Sequence, residues 1–171
     1  LSKAQLGRLL GGARAVKGAI GSRDSAILQV LAYTGLRRDE LVHLTTTDYD
    51  TECGELRVRA GKGRRQRFVP VPKRVQTVLN RWLKWLEDGA GPLFCQIRRG
   101  GGVTRKALAG TTIYTLVKRY AKEAGIRHCT PHDLRRTFIT HQLVRGVDIN
   151  TVRRYAGHSD INTTTLYDYR G

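Results

Sequence analysis

The sequence predicts a mainly α fold with one small antiparallel sheet, in the α+β class. Apolar residues recur at three- and four-residue spacing in several segments, most clearly over residues 73–87. Residues 55–59 and 67–71 change to an alternating, strand-like pattern, and they flank a glycine-rich turn at 61–63. A length of 171 residues suits a single domain with a sizeable core. Helices around one hairpin are therefore expected.

Capping and glycine signals delimit the helices of the first third of the chain. A first helix is predicted over 2–10 and a second over 22–34, with a glycine-rich joint at 18–21 between them. Gly35 follows the second helix at the position where a left-handed residue commonly ends one. A short third helix is predicted over 37–44, before the alternating region begins.

The remaining helices follow the hairpin. The amphipathic segment 73–87 predicts one helix, and a glycine-rich loop at 100–102 precedes another over 111–124. Thr130 and Pro131 mark the start of a longer helix, because threonine caps the exposed backbone amides and proline suits the first turn. Two shorter helices are expected after it.

The charge of the chain predicts a polyanionic partner. There are 31 Lys and Arg residues against 14 Asp and Glu, a formal net charge of +17. A field of one sign attracts and steers polyanions, so nucleic acid is favoured over a membrane surface. The 3 cysteines lack metal-ligand spacing or a disulfide pattern, which favours a cytoplasmic protein. No apolar run is long enough to span a membrane.

The candidate chemistry lies near the end of the chain. His132 and Arg135 are three residues apart at a predicted helix start, so they share a face, and the helix N-terminus favours an anion. His158 lies in a glycine-led turn, and Tyr167 follows on the last helix. Arginine can clamp phosphate, tyrosine can attack phosphorus, and histidine can move a proton. These residue types suffice for phosphoryl transfer without a metal.

Two further cations lie far upstream in the sequence. Arg37 stands at the start of the third predicted helix, a position that suits phosphate. Lys62 lies between two glycines at the predicted hairpin tip, where a flexible side chain can reach a groove.

Five segments in order make the chain resemble the catalytic domain of the tyrosine recombinases, the phage-integrase family, over nearly its whole length. The segments are Thr34-Gly35-Leu36-Arg37-Arg38-Asp39-Glu40-Leu41, Gly61-Lys62-Gly63, His132-Asp133-Leu134-Arg135-Arg136-Thr137-Phe138, Gly157-His158-Ser159-Asp160 and Thr163-Thr164-Thr165-Leu166-Tyr167. The family often has leucine where Ala156 precedes the glycine-histidine pair, which is a change in packing.

The resemblance implies a role for each matching residue. Tyr167 would attack the scissile phosphate and form a 3′-phosphotyrosyl link. Arg37 and Arg135 would clamp the non-bridging oxygens, and His158 would add a hydrogen bond. Lys62 would protonate the leaving 5′-oxygen. Three more roles are implied: proton transfer from the tyrosine for His132, orientation of the cluster for Glu40, and DNA contact for Arg64, Arg65 and Arg136.

The implied activity is site-specific cleavage and rejoining of double-stranded DNA, as in integration by a mobile element, with no metal or other cofactor. Residues 1–171 would form a single catalytic domain that lacks the family's N-terminal core-binding domain and C-terminal tail. The full-length protein is expected to form a tetrameric synapse on DNA, and this fragment to be monomeric. A bacterial or phage-encoded protein of the nucleoid is implied.

Alternative interpretations remain open at this point. The domain could be a DNA-binding accessory module without chemistry, or a type IB topoisomerase that relaxes DNA. Lys62 could be an ordinary turn lysine, and Glu40 only an ion-pair partner of Arg37. Tyr155 and Tyr169 are rival nucleophiles that the motif register disfavours. A zinc site at His128, Cys129 and His132 is disfavoured because no fourth ligand has suitable spacing.

Overall fold

A computed structural model describes residues 1–59, 66–86, 89–158 and 162–165, without the side chains of 162 and 163. It confirms the predicted fold class, since helices dominate and the strands are short and antiparallel. The helices are α1 (Lys3–Ala15), α2 (Gly18–Thr34), α3 (Arg38–Val42), α4 (Lys73–Leu83), α5 (Gly110–Glu123), α6 (Pro131–Val144), α7 (Ile149–Ala156) and α8 (Asn162–Thr165). The strands are β1 (Tyr49–Asp50), β2 (Glu55–Val58), β3 (Arg67–Pro70), β4 (Cys95–Ile97) and β5 (Val103–Ala107).

The strands form two sheets rather than the single one predicted. β1, β2 and β3 make a three-stranded antiparallel sheet in which Leu56 lies opposite Val69 and Val58 opposite Arg67. β4 and β5 form a separate two-stranded sheet, with the glycines of 100–102 at its turn. Sequence analysis missed this second sheet because most of β5 is polar and exposed. Its sequence therefore lacks the alternation of polar and apolar residues that marks a half-buried strand.

The joint between the first two helices is shorter than predicted. α1 continues to Ala15 and α2 begins at Gly18, so the predicted glycine-rich joint is in fact the first turn of α2. Gly21 is needed there for space: a Cβ on it would lie 1.8 Å from the carbonyl oxygen of Val16. Gly21 therefore allows a close approach of two backbone segments rather than breaking the helix.

The core is built around α2, which packs against α1, α4, α5 and α6 and is buried along nearly its whole length. Its buried Asp24 accepts hydrogen bonds from Arg119 at 2.8 Å and from the Tyr120 hydroxyl at 3.1 Å. Burying a carboxylate is costly unless it is paired, so these bonds fix α5 against α2. α5 and α6 then form one wall of the candidate site.

A smaller apolar cluster joins the last elements to the domain. Phe138 and Leu143 of α6 pack with Val152 and Ala156 of α7 in this cluster. This cluster packs α7 against α6. Among the described helices, none is long and apolar enough to cross a bilayer.

Candidate active site

An open cleft of about 470 Å³ brings together residues that lie about 120 positions apart in the chain. Of the six residues predicted to be catalytic, Arg37, His132, Arg135 and His158 line it. The other lining residues are Leu36, Arg38, Asp39, Tyr114, Thr130 and Pro131. Three guanidinium groups and two imidazoles around one cleft favour an anionic ligand.

The start of α6 sets the positions of His132 and Arg135. The Thr130 hydroxyl accepts the Asp133 amide at 3.3 Å, and the Asp133 carboxylate accepts the Thr130 amide at 2.9 Å. This capping box, with Pro131 in the first turn, confirms the predicted helix start. His132 is exposed to the cleft, whereas Arg135 is buried, only 4% exposed.

Arg135 is anchored to the other side of the cleft by a backbone carbonyl. Its Nη1 donates to the Gly35 carbonyl oxygen at 2.6 Å. Gly35 ends α2 in the left-handed conformation, with φ of 66°. That conformation turns the chain at the end of α2, so α6 and the segment that carries Arg37 are held together through this bond.

Glu40 is the anionic centre behind the cleft. It accepts hydrogen bonds from the Arg37 amide at 2.8 Å and the Arg37 Nη1 at 3.0 Å. Arg67 adds a bidentate pair, with Nη1 to Oε1 at 3.0 Å and Nη2 to Oε2 at 2.8 Å. Burial raises the pKa of Glu40, but the bonds and charges of the two arginines outweigh it and lower the pKa to about 2. Glu40 is therefore ionised throughout the physiological range.

Arg37 also binds the end of α7. Its Nη2 donates to the Gly157 carbonyl oxygen at 2.9 Å, and its Nη1 lies 3.4 Å from that of Ala156. The Arg37 side chain is 27% exposed, so part of the guanidinium still faces the cleft. Glu40 and the two carbonyls fix the guanidinium in one orientation.

Sequence analysis did not identify Arg67 as part of the site. Its side chain is only 8% exposed, and its Nε donates to the Tyr155 carbonyl oxygen at 2.9 Å. A signal was present in the alternation of β3, where Arg67 occupies an inward position in register with Val69. An arginine on the buried face of a strand requires a buried carboxylate or carbonyl partner.

His158 lies just after the turn that ends α7. Gly157 is left-handed, with φ of 65°, and the His158 amide donates to the Arg153 carbonyl oxygen at 3.1 Å. Burial and then the positive charges of Arg135, Arg37 and Arg67 lower the pKa of His158 to about 4, although Glu40 opposes them. The imidazole is therefore neutral at pH 7.

Thr164 of α8 is a hydrogen-bond partner of that neutral ring. Its buried hydroxyl lies 2.9 Å from Nδ1 of His158. When the hydroxyl donates to Nδ1, the proton of the neutral imidazole must reside on Nε2. His158 then has an N–H group with which to bind an oxygen anion.

Replacing Thr164 with valine is expected to shift His158 from the Nε2-protonated form to a mixture of tautomers, because valine cannot donate to Nδ1. The measurement is ¹⁵N chemical shifts of the imidazole nitrogens at pH 7. Thr164→Ser keeps the hydroxyl and should retain the wild-type shifts. Unchanged nitrogen shifts in the valine variant would show that Thr164 does not set the tautomer.

The other predicted site residues and rival nucleophiles fall into two groups. Lys62, Arg64, Arg65, Tyr167 and the rival Tyr169 lie outside the described residues. Arg136 is exposed on α6 and does not line the cleft, and Tyr155 packs against the smaller apolar cluster. Within the described part of the chain, no group of three or more His, Cys, Asp or Glu side chains is arranged to hold a metal ion.

Comparison with known proteins gives the class to which this fold and cleft belong. The model of the phage integrase family matches residues 1–169. The chain therefore belongs to the phage integrase family.

Its relatives include tyrosine recombinases of the Xer group. Tyrosine recombinase XerA of Pyrococcus furiosus is 38% identical over 145 residues, which cover 85% of this chain and 49% of the relative. Tyrosine recombinase XerD of Ralstonia nicotianae is 36% identical over 178 residues, which cover 99% of this chain and 55% of the relative. The chain thus spans about half the length of the relatives it matches.

Solved structures share the fold over the whole chain. The crystal structure of XerA recombinase superposes with a TM-score of 0.84 at 30% identity, covering 100% of this chain and 58% of that one. The catalytic domain of bacteriophage HP1 integrase gives a TM-score of 0.68 at 22% identity, covering 98% and 84% respectively, and shows the fold alone.

Proposed function

We propose that this domain cleaves and rejoins DNA strands at specific sites through a covalent 3′-phosphotyrosyl intermediate. The observation that carries the proposal is the cleft in which Arg37, Arg135, His132 and His158 converge. Membership of the phage integrase family, and relatives named as tyrosine recombinases, support it.

The cleavage step transfers phosphorus from one oxygen to another. The phenolic oxygen of Tyr167 attacks the scissile phosphate, a new P–O bond forms to the tyrosine, and the bond to the 5′-oxygen breaks. Attack by the freed 5′-hydroxyl on the phosphotyrosine reverses the step and rejoins a strand. The P–O bond to the tyrosine replaces the P–O bond to the 5′-oxygen, so the bond energy is retained and no cofactor is needed.

The cleft residues stabilise the negative charge that develops on the non-bridging oxygens of the phosphate. Arg37 and Arg135 bind the non-bridging oxygens, and neutral His158 donates from Nε2 to the same oxygens. Donors aimed at developing charge typically contribute about 10²–10³ in rate each. We assign proton transfer from Tyr167 to His132, and protonation of the leaving 5′-oxygen to Lys62.

A basic groove that adjoins the cleft supports DNA as the substrate. It has a volume of about 760 Å³ and shares Tyr114 with the cleft. Its cationic lining side chains are Lys118, Arg119, Lys122 and Arg127. Such a surface suits the phosphates that flank a cleavage site. Arg64, Arg65 and Arg136 are proposed to add DNA contacts.

We further propose that the whole protein acts in the cytoplasm as a tetramer assembled on two DNA sites. Strand exchange needs two duplexes, each cut on both strands, and hence four tyrosines. This domain by itself is expected to be monomeric.

Covalent trapping tests the proposed function. The protein is incubated with 5′-labelled duplexes of randomised sequence, each nicked in the labelled strand so that a short 5′-hydroxyl fragment can diffuse away. A labelled protein band is expected on a denaturing gel, because the labelled strand stays attached through its 3′-phosphate. Tyr167→Phe should give no band while still binding DNA.

Other outcomes separate the alternatives. DNA binding without any covalent band in the wild type would indicate a non-catalytic accessory module. Rapid relaxation of plasmids of any sequence, without strand exchange, would indicate a topoisomerase. A band that survives Tyr167→Phe would show that another residue is the nucleophile.

A further inference from the structure

Arg67 contacts two of the segments that build the cleft at the same time. Its Nη1 and Nη2 bind both oxygens of Glu40 at 3.0 and 2.8 Å. Its Nε binds the Tyr155 carbonyl oxygen at 2.9 Å, two residues before the turn that carries His158. One buried side chain of β3 therefore connects α3, which bears Glu40, to the end of α7.

The surroundings of Arg67 leave it little freedom to move. A Cβ on Gly157 would lie 2.7 Å from the Arg67 Cζ and Nη1, so the left-handed glycine packs directly on the guanidinium. The planar fork matches the carboxylate with two parallel bonds, which a lysine ammonium cannot reproduce. The side chains of the pair are 8% and 9% exposed, so water competes little for these bonds.

We propose that Arg67 is a positioning residue for the cleavage reaction: it holds Glu40, and through Glu40 the Arg37 guanidinium, in register with the Gly157–His158 turn. The inference rests on the proposed strand cleavage and adds a residue to its machinery. Arg67 acts through Arg37 and His158, since it does not itself line the cleft.

The charge of Arg67 also affects the pKa of the His158 imidazole. The groups that face His158 are Arg135 from α6, Arg37 and Glu40 from the start of α3, and Arg67 from β3. Removing the Arg67 charge leaves Glu40 with one fewer cation beside it. The pKa of His158 should then rise from about 4 toward its ordinary value of 6.5.

The test compares Arg67→Gln and Arg67→Lys with Arg57→Gln. Arg57 is a matched control because it lies on the adjacent strand and also pairs with a carboxylate, that of Asp48, at 3.2 Å. Covalent trapping under single-turnover conditions measures the cleavage rate. DNA affinity is measured separately in the Tyr167→Phe background, and thermal melting reports the fold of each variant.

Arg67→Gln is expected to slow cleavage by about 10²-fold, the effect of misplacing reacting groups by roughly 1 Å, with DNA affinity unchanged. Arg67→Lys keeps the positive charge, so its cleavage rate should lie between those of Arg67→Gln and the wild type. This variant should remain folded even if Arg67→Gln unfolds. Combining Arg67→Gln with Glu40→Gln should cost little more than Glu40→Gln alone, because the two residues act as a unit.

The proposal would be overturned if Arg67→Gln cleaved DNA as fast as Arg57→Gln. It would also be overturned if Arg67→Gln lost DNA affinity by the same factor as it lost cleavage rate. Failure of the wild type to form an adduct would instead refute the proposed function. In that case, NMR titration of His158 in the absence of DNA would still test whether Arg67 is coupled to His158. A pKa that stays near 4 in Arg67→Gln would refute the coupling.

Discussion

Replacing Arg135 with lysine is expected to slow formation of the covalent DNA adduct by about 10²–10³-fold, the loss typical of one donor aimed at developing charge. Arg135 is buried, and one guanidinium nitrogen already binds the Gly35 carbonyl oxygen at 2.6 Å. The planar fork can hold that carbonyl and still present other N–H groups to the phosphate. A lysine ammonium is a compact point charge and cannot bind the Gly35 carbonyl oxygen and the phosphate at the same time.

Single-turnover trapping measures this effect. Arg145→Lys serves as the control because Arg145 is the C-cap at the opposite end of α6. The control should cleave at the wild-type rate. DNA affinity should change little in Arg135→Lys, since the positive charge is retained. Cleavage by Arg135→Lys at the control rate would remove Arg135 from the proposed phosphate clamp.

Replacing Gly35 with alanine is expected to destabilise the folded protein by about 2–5 kcal/mol. Two physical costs add. Alanine is disfavoured at φ of 66°, and its Cβ would lie 2.3 Å from Cδ1 of Phe138. Phe138 is buried in α6, so relief of the overlap must move α6 or the end of α2. Either movement would disturb the bond between Gly35 and Arg135.

Urea unfolding measures the change in the free energy of unfolding. Gly11→Ala provides the control, because Gly11 lies within α1 and an added Cβ would meet nothing within 4 Å. That substitution should stabilise the protein by about 0.5–1 kcal/mol, since alanine has the higher helix propensity. Equal stability of Gly35→Ala and the wild type would contradict the geometry at this turn.

Much of the fold could be predicted because its signals are local. The capping box at Thr130 and Asp133 and the left-handed glycine after α2 depend on residues close together in sequence. The predicted joint at 18–21 is wrong, because glycine generally disfavours a helix but here forms the first turn of α2. In the structure, Gly21 provides room for the Val16 carbonyl, a requirement set by packing rather than by propensity.

Part of the site could be predicted because four of its residues stand in recognisable motifs. The structure brings these residues, Arg37, His132, Arg135 and His158, to one cleft. Arg67 and Thr164 received no role, because their importance comes from partners distant in sequence or from a neutral hydroxyl. Lys62 and Tyr167 stay predictions.

The sequence by itself determined the helical class, the basic character and the residue types available for phosphoryl transfer, because each of these is written in composition and short spacing. Only the tertiary structure decided how the charges are arranged. It buries Glu40 between Arg37 and Arg67, and surrounds His158 with cations so that its pKa falls to about 4. Those effects depend on distances between segments that only the packed chain defines.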